Sequence, residues 1–187
     1  MEYMKEQIKS KIMDEQDLGR TIARLAHEIL EKNKGLENIV IVGMRTRGVY
    51  LAKRIAQKLK EVGNKEVPVG ILDVTLYRDD FRTALKQPQV QITDIPFSID
   101  NMNIILVDDV LYTGRTVRAA LDALMDFGRP ASIQLAILVD RGHRELPIKA
   151  DFVGKNIPTS YGEEIRVHVE EIDDDDAVFL VDVSDVN

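Results

Sequence analysis

Short runs of β-branched residues, each feeding a turn and then a segment of helical period, constrain this chain more than any other feature. Asn38–Val42 leads into Gly43-Met44-Arg45-Thr46-Arg47-Gly48 and then a helix to about Val62, with Ala52, Ile55, Ala56 and Leu59 on one face. Asn103–Val107 leads through Asp108 and Asp109 into a turn and a helix over Arg115–Phe127, with Val117, Leu121 and Leu124 inward and Gly128 and Pro130 closing it. Ser132–Val139 is a further strand, and Val67–Leu76 alternates well enough for another. Continuously apolar strands are buried on both faces, and strand–helix alternation is the pattern of parallel βαβ crossovers. The expected fold class is therefore α/β, a doubly wound, mostly parallel sheet between helical layers. Ahead of the first strand, residues 14–34 read as an amphipathic helix with Leu18, Ile22, Leu25, Ala26, Ile29 and Leu30 on one stripe. Asp14 caps it and Gly35 stops it.

At 187 residues, one such domain is expected, with a core over about 14–139 and a small irregular or β hood over about 140–187. The hood carries two strand-like runs, Ile165–Ile172 and Ala177–Val183. Residues 77–101 are polar, hold two prolines and lack a clear period, as a functional lid or a disordered surface loop does. No apolar run approaches the ~18 residues of a membrane span, and the charged first residues do not read as a signal peptide. With no cysteine, disulfides and thiolate metal sites are excluded; the expected location is cytoplasmic. Three dispersed histidines give no metal-site spacing.

The net charge of −7 is unevenly spread: residues 163–187 carry ten acids and one base, which leaves 1–162 slightly basic. The acidic run, centred on Asp173–Asp176, is expected to be a solvated edge that discourages strand aggregation. A basic face elsewhere stays open.

The chemistry is concentrated in Ile104–Thr116. Ligands of open parallel sheets bind outside the carboxyl ends of the strands. Here two carboxylates are followed by a small-residue turn and a helix start. Thr113, Gly114, Arg115 and Thr116 offer consecutive amides, two hydroxyls and a helix N-terminus, which suits a phosphate dianion. Asp108 and Asp109 would repel that phosphate, but they suit ribose hydroxyls or Mg²⁺-bound water. The bland alternative is an acidic turn that caps a helix. No Walker A loop and no GxGxxG is present.

Val107-Asp108-Asp109, then Val110-Leu111-Tyr112, then Thr113-Gly114-Arg115-Thr116, resembles the 5-phosphoribosyl-1-pyrophosphate (PRPP) signature of type I phosphoribosyltransferases. By the same resemblance Met44–Gly48 looks like the pyrophosphate loop, with Arg47 suited to bidentate phosphate contact. Thr75–Asp80 looks like the loop that closes over PRPP, with Tyr77 covering the site and Arg78 meeting the transition-state diphosphate. Thr21–Glu28, Asp73–Asp80, Val107–Leu124 and Leu138–Ser160 together resemble the bacterial family of bifunctional pyrimidine-operon attenuation regulators and uracil phosphoribosyltransferases.

That resemblance implies uracil as acceptor, Mg²⁺ as cofactor, UMP or UTP as effectors, a homodimer or higher homo-oligomer, and binding to leader mRNA of the pyrimidine operon. It implies catalytic roles for Arg47, Arg78, Asp108 and Asp109. PRPP or UMP contacts are implied at Thr46, Arg47, Asp108, Asp109, Leu111, Tyr112, Thr113, Gly114, Arg115, Thr116 and Arg141. RNA contacts are implied at Arg24, His27, Lys32, Arg144, Lys149 and Lys155. Arg20, Arg24, His27, Glu31 and Lys34 also share the helix face opposite the apolar stripe, a pattern that a merely solvated face shows too. Two positions depart from the family: Ala23 stands where Thr occurs, and Lys149 where Arg occurs, losing a planar fork. The alternatives from other classes are a purine salvage enzyme without RNA binding and an RNA-binding regulator with vestigial catalysis.

Overall fold

A computed structural model describes residues 7–74 and 93–183. Five parallel strands lie in the order β3-β2-β4-β5-β6: β2 (Ile39–Met44), β3 (Val69–Leu72), β4 (Asn103–Leu111), β5 (Ser132–Asp140) and β6 (Phe152–Asn156). Three helices of ordinary length join or flank them: α1 (Glu15–Asn33), α2 (Arg47–Gly63) and α3 (Arg115–Met125). Alternate residues of each strand feed two cores. Ile39, Ile41, Ile105, Val107, Ala136 and Leu138 pack with the apolar stripes of α1 and α2. Val40, Val42, Ile104, Leu106, Leu135 and Ile137 pack with Val117, Ala120 and Leu124 of α3. The doubly wound sheet expected from the strand pattern is therefore present, helices covering both faces.

Asp14 caps α1 by accepting the amide of Asp17 at 2.8 Å. The helix ends at Lys34, which takes the left-handed conformation one residue before the expected Gly35. A second, antiparallel sheet, β1-β8-β7, is built from β1 (Gln7–Met13), β7 (Glu163–His168) and β8 (Ala177–Asp182). Ile165, Val167, Val169 and Val178 dock it onto the α1–α2 core. A short helix α4 (Glu170–Asp173) joins β7 to β8.

Four differences from the sequence reading have physical reasons. β4 runs through Leu111, so Asp108 and Asp109 lie within the strand instead of beyond it. β6 extends the main sheet in a stretch expected to be irregular: it is five residues long and buries few of them, so its pattern is weak. β1 was missed because nearly all of it is exposed; Lys9 and Lys11 suit an edge strand. The run Ile165–Ile172 is a strand only as far as His168 and then turns into α4.

After β2 the chain moves outward to β3 and then returns to the other side of β2 to lay down β4. The winding reverses between β2 and β4, and the crevice beyond their carboxyl ends is where such sheets bind ligands.

Candidate active site

The turn after β4 occupies that crevice. Gly114 sits at φ 91° as the N-cap of α3, and the amide of Arg118 closes the first helical bond on its carbonyl at 2.9 Å. An L side chain at that φ is strained, so glycine is the fitting residue. The first amides of a helix have no intrahelical acceptor, and here they open onto a recess of about 280 Å³ lined by Asp108 and by Val110 through Val117. Thr113 Oγ1 accepts the Arg115 amide at 3.3 Å, and the Thr113 carbonyl accepts the amides of Glu145 and Leu146 at 3.0 and 3.1 Å. The segment after β5 thus fixes the turn from behind.

The two carboxylates are fixed as well. Asp108 Oδ1 accepts the Asp109 amide at 2.9 Å, and Asp109 Oδ1 accepts the Val110 amide at 2.8 Å. Across this pair the strand exchanges its faces: Val110 packs with the α1–α2 core and Leu111 with the α3 core, the reverse of the alternation before it. Asp108 is buried and Asp109 partly so.

The loop after β2 approaches the same point. A Cβ on Gly48 would lie 2.6 Å from the Val107 carbonyl oxygen, so the first turn of α2 rests on the β4 backbone. Thr46, at the N-cap of α2, is exposed. Arg47 is partly buried and feels the charge of Asp109. It is also bound sideways by Asp173 of α4: Nε donates to Oδ2 at 3.0 Å and Nη2 to Oδ1 at 2.6 Å. Two turns along α2, Arg54 binds Asp176 and Glu171, each through two hydrogen bonds of 2.6–3.0 Å. The hydrogen bond with Asp173 raises the pKa of Arg47 and lowers that of the carboxyl. Burial opposes charge on both Arg54 and Asp176, yet their mutual hydrogen bonds prevail and stabilise both ions. The acidic run is therefore a solvated edge only in part: Asp174 and Asp175 are exposed, whereas Asp173 and Asp176 are largely buried and face arginines.

The other expected site residues divide. Tyr112, Thr113, Gly114, Arg115 and Thr116 all line the recess. Leu111 lines it too, but its side chain is buried in the core. Arg141 is buried and braces the hood, donating to Thr159 Oγ1 at 3.1 Å and to the Glu163 carbonyl, with its guanidinium 4.0 Å from the Tyr112 ring centre. Tyr77 and Arg78 fall outside the described residues.

Of the residues expected to meet RNA, Arg24, Lys32 and Lys155 gather along α1 and the outer edge of β6. Arg24 donates to the carbonyls of Val153 and Gly154, Lys32 pairs with Asp151 at 2.5 Å, and Lys155 reaches the Ile12 carbonyl at 3.2 Å. His27 and Lys149 are exposed. Arg144 is placed differently. It binds Asp140 and the carbonyls of Tyr112, Gly142 and Ile148, so it braces the Tyr112 end of the turn that lines the recess. Sequence reasoning missed Asp173 and Asp176, whose partners lie more than a hundred residues away.

A glycine turn entering a helix N-terminus, with two carboxylates just before it, thus lies at the switch point of a doubly wound sheet, and the chain belongs to the phosphoribosyltransferase family: the phosphoribosyl transferase domain matches residues 9–172. Its place within the family is the bifunctional PyrR branch. It is 55% identical over 174 residues to the Bifunctional protein PyrR of Bacillus subtilis, spanning 92% of this chain and 96% of that protein. It is 56% identical over 177 residues to the protein of the same name from Pelotomaculum thermopropionicum, spanning 95% and 98%. Among solved structures, the hypoxanthine phosphoribosyltransferase of Trypanosoma cruzi superposes with a TM-score of 0.71 at 18% identity, covering 95% of this chain and 98% of that one. That of Staphylococcus aureus gives 0.68 at 19%, covering 92% of each. These two likenesses concern the fold.

Proposed function

We propose that the chain transfers the 5-phosphoribosyl group of PRPP to uracil, giving UMP and pyrophosphate, and that it also binds leader mRNA of the pyrimidine operon in response to UMP or UTP. The observation that carries the enzymatic half is the single turn that sets helix amides at one end of a recess and the Asp108 carboxylate at the other, with Asp109 next to it in the strand. The 5-phosphate is held by Thr113–Thr116, and the ribose hydroxyls donate to Asp108 and Asp109. The diphosphate extends toward the Arg47 loop, where a guanidinium neutralises the charge that builds as the C1–O bond breaks. The sugar at that moment is oxocarbenium-like, so in-line placement of the uracil nitrogen does the rest, with no covalent intermediate on the protein. Arg78 is assigned to the same diphosphate and Tyr77 to the cover of the site.

Mg²⁺ fits the donor set: Asp108 and Asp109 are hard carboxylate ligands, each with its plane fixed by one amide. They would hold the ion directly or through water, and it would offset diphosphate charge. The regulatory half rests on the membership of the PyrR branch and on the cations along α1 and β6, which would meet RNA phosphates while His27 and Arg24 face loop bases. Homo-oligomeric assembly and a cytoplasmic location belong to the same reading. Among the described residues no helix is long and apolar enough to cross a membrane.

The test is pyrophosphate release from PRPP and Mg²⁺ with each free base in turn. Release with uracil supports the proposal, and release only with hypoxanthine or adenine contradicts it. Leader RNA is then titrated with and without UMP over a range of salt. Specific binding strengthened by UMP is expected, and purely salt-driven binding indifferent to sequence overturns the regulatory half.

A further inference from the structure

We infer that Asp173 is a positioning residue for the transfer reaction, holding the Arg47 guanidinium so that its far edge faces the diphosphate. The inference rests on the reading of Arg47 as a diphosphate ligand. A guanidinium offers two forks, one along Nε and Nη2 and one across Nη1 and Nη2. Asp173 takes the first, at 3.0 and 2.6 Å, and leaves Nη1 and the second hydrogen of Nη2 clear. The carboxylate is itself fixed, since Oδ2 also accepts the Val169 amide at 2.9 Å. Val169 is fully buried in the core, so the anchor behind that amide is rigid. Arg47 therefore keeps a set orientation before substrate arrives, and a bidentate contact gains most when its donor is pre-organised. A carboxylate that blocked the diphosphate would have taken the end-on fork.

The neighbouring staple offers a control. Arg54 ties the same acidic turn to the same helix through Asp176 and Glu171, two helical turns from Arg47. Its loss loosens the turn without touching the Asp173–Arg47 contact.

The experiment is steady-state kinetics on full-length D173N, D173E, R54A, R47A and R47A/D173N, each with its melting temperature. D173N is expected to lose about tenfold in kcat/KM for PRPP, the loss of a charge-assisted hydrogen bond, and to keep the KM for uracil. D173E keeps the charge on a longer arm and falls between D173N and the native chain. R54A melts lower yet stays within about twofold of native kcat/KM. R47A loses at least as much as D173N, and adding D173N to R47A costs nothing more, because Asp173 acts through Arg47. Native kinetics in D173N and D173E would overturn the inference, as would an R54A that matches D173N, or additive losses in the double variant. If R47A itself were native-like, the diphosphate-loop reading would fall and the inference with it. An impaired R47A beside a native D173N sinks the inference alone.

Discussion

Two acid-rich turns sit near the rim of this sheet, and they use their carboxylates in opposite ways. At Asp108–Thr116 the acids are turned onto their own backbone, and Asp108 opens onto a recess that suits a sugar phosphate. At Val169–Asp176 three of the acids, Glu171, Asp173 and Asp176, reach across to Arg47 and Arg54 and are used by the fold. A carboxylate's role is set by what stands opposite it. In the first turn each acid binds the amide of the very next residue, whereas in the second the partners are 126 and 122 residues away.

The comparison breaks most visibly at the first turn. D108N and D109N are each expected to lower kcat at least about a hundredfold, as removal of a group that meets developing charge does. Leader-RNA affinity should remain near native, because neither residue lies on the α1–β6 face. Loss of both activities in a folded protein would show that the two surfaces are not separate. G48A probes the closeness of the two loops: its Cβ would fall 2.6 Å from a backbone oxygen. A loss of about 1–3 kcal/mol in denaturant unfolding is expected, together with weaker PRPP binding. Native stability would mean that α2 does not rest on β4 as described.

The second turn is tested by smaller effects. R54A strands two carboxylates, one of them largely buried, and about 1–3 kcal/mol of stability should go with it. An unchanged unfolding midpoint would reduce the staple to a surface ornament. The pH dependence is smaller still. Asp173 and Asp176 both have depressed pKa values in the folded protein. Their contribution is present above the unfolded carboxylate pKa of about 4 and disappears as pH falls through the lower folded values. Acid unfolding of D173N/D176N should therefore be shallower than that of the native chain below about pH 4, with the two curves parallel above it. Identical slopes in acid would contradict the pairing.

Legibility in the sequence followed the range of the interactions. The strands β2, β4 and β5 announce themselves as apolar runs, and the phosphate turn as a string of adjacent residues, so fold class and recess were both readable. β1 and β6 were not, because edge strands bury little and their pattern is faint. Arg144 was read as an RNA contact from the family resemblance, and its bond to the Tyr112 carbonyl 32 residues away was not foreseen. Arg141 was read as a ligand contact, and its part in bracing the hood was not visible in the sequence. In each case an arginine's charge was visible and its partner was not. Asp173 and Asp176 were misjudged for the same reason, while Asp174 and Asp175 are exposed as expected.

The central claim is that the turn from Tyr112 to Thr116 cradles the sugar phosphate. A crystal structure of the protein with UMP tests it directly. The phosphate should lie against the amides of Thr113 to Thr116, with the ribose hydroxyls on Asp108 and Asp109. A nucleotide bound elsewhere, with this turn facing only solvent, would contradict the account.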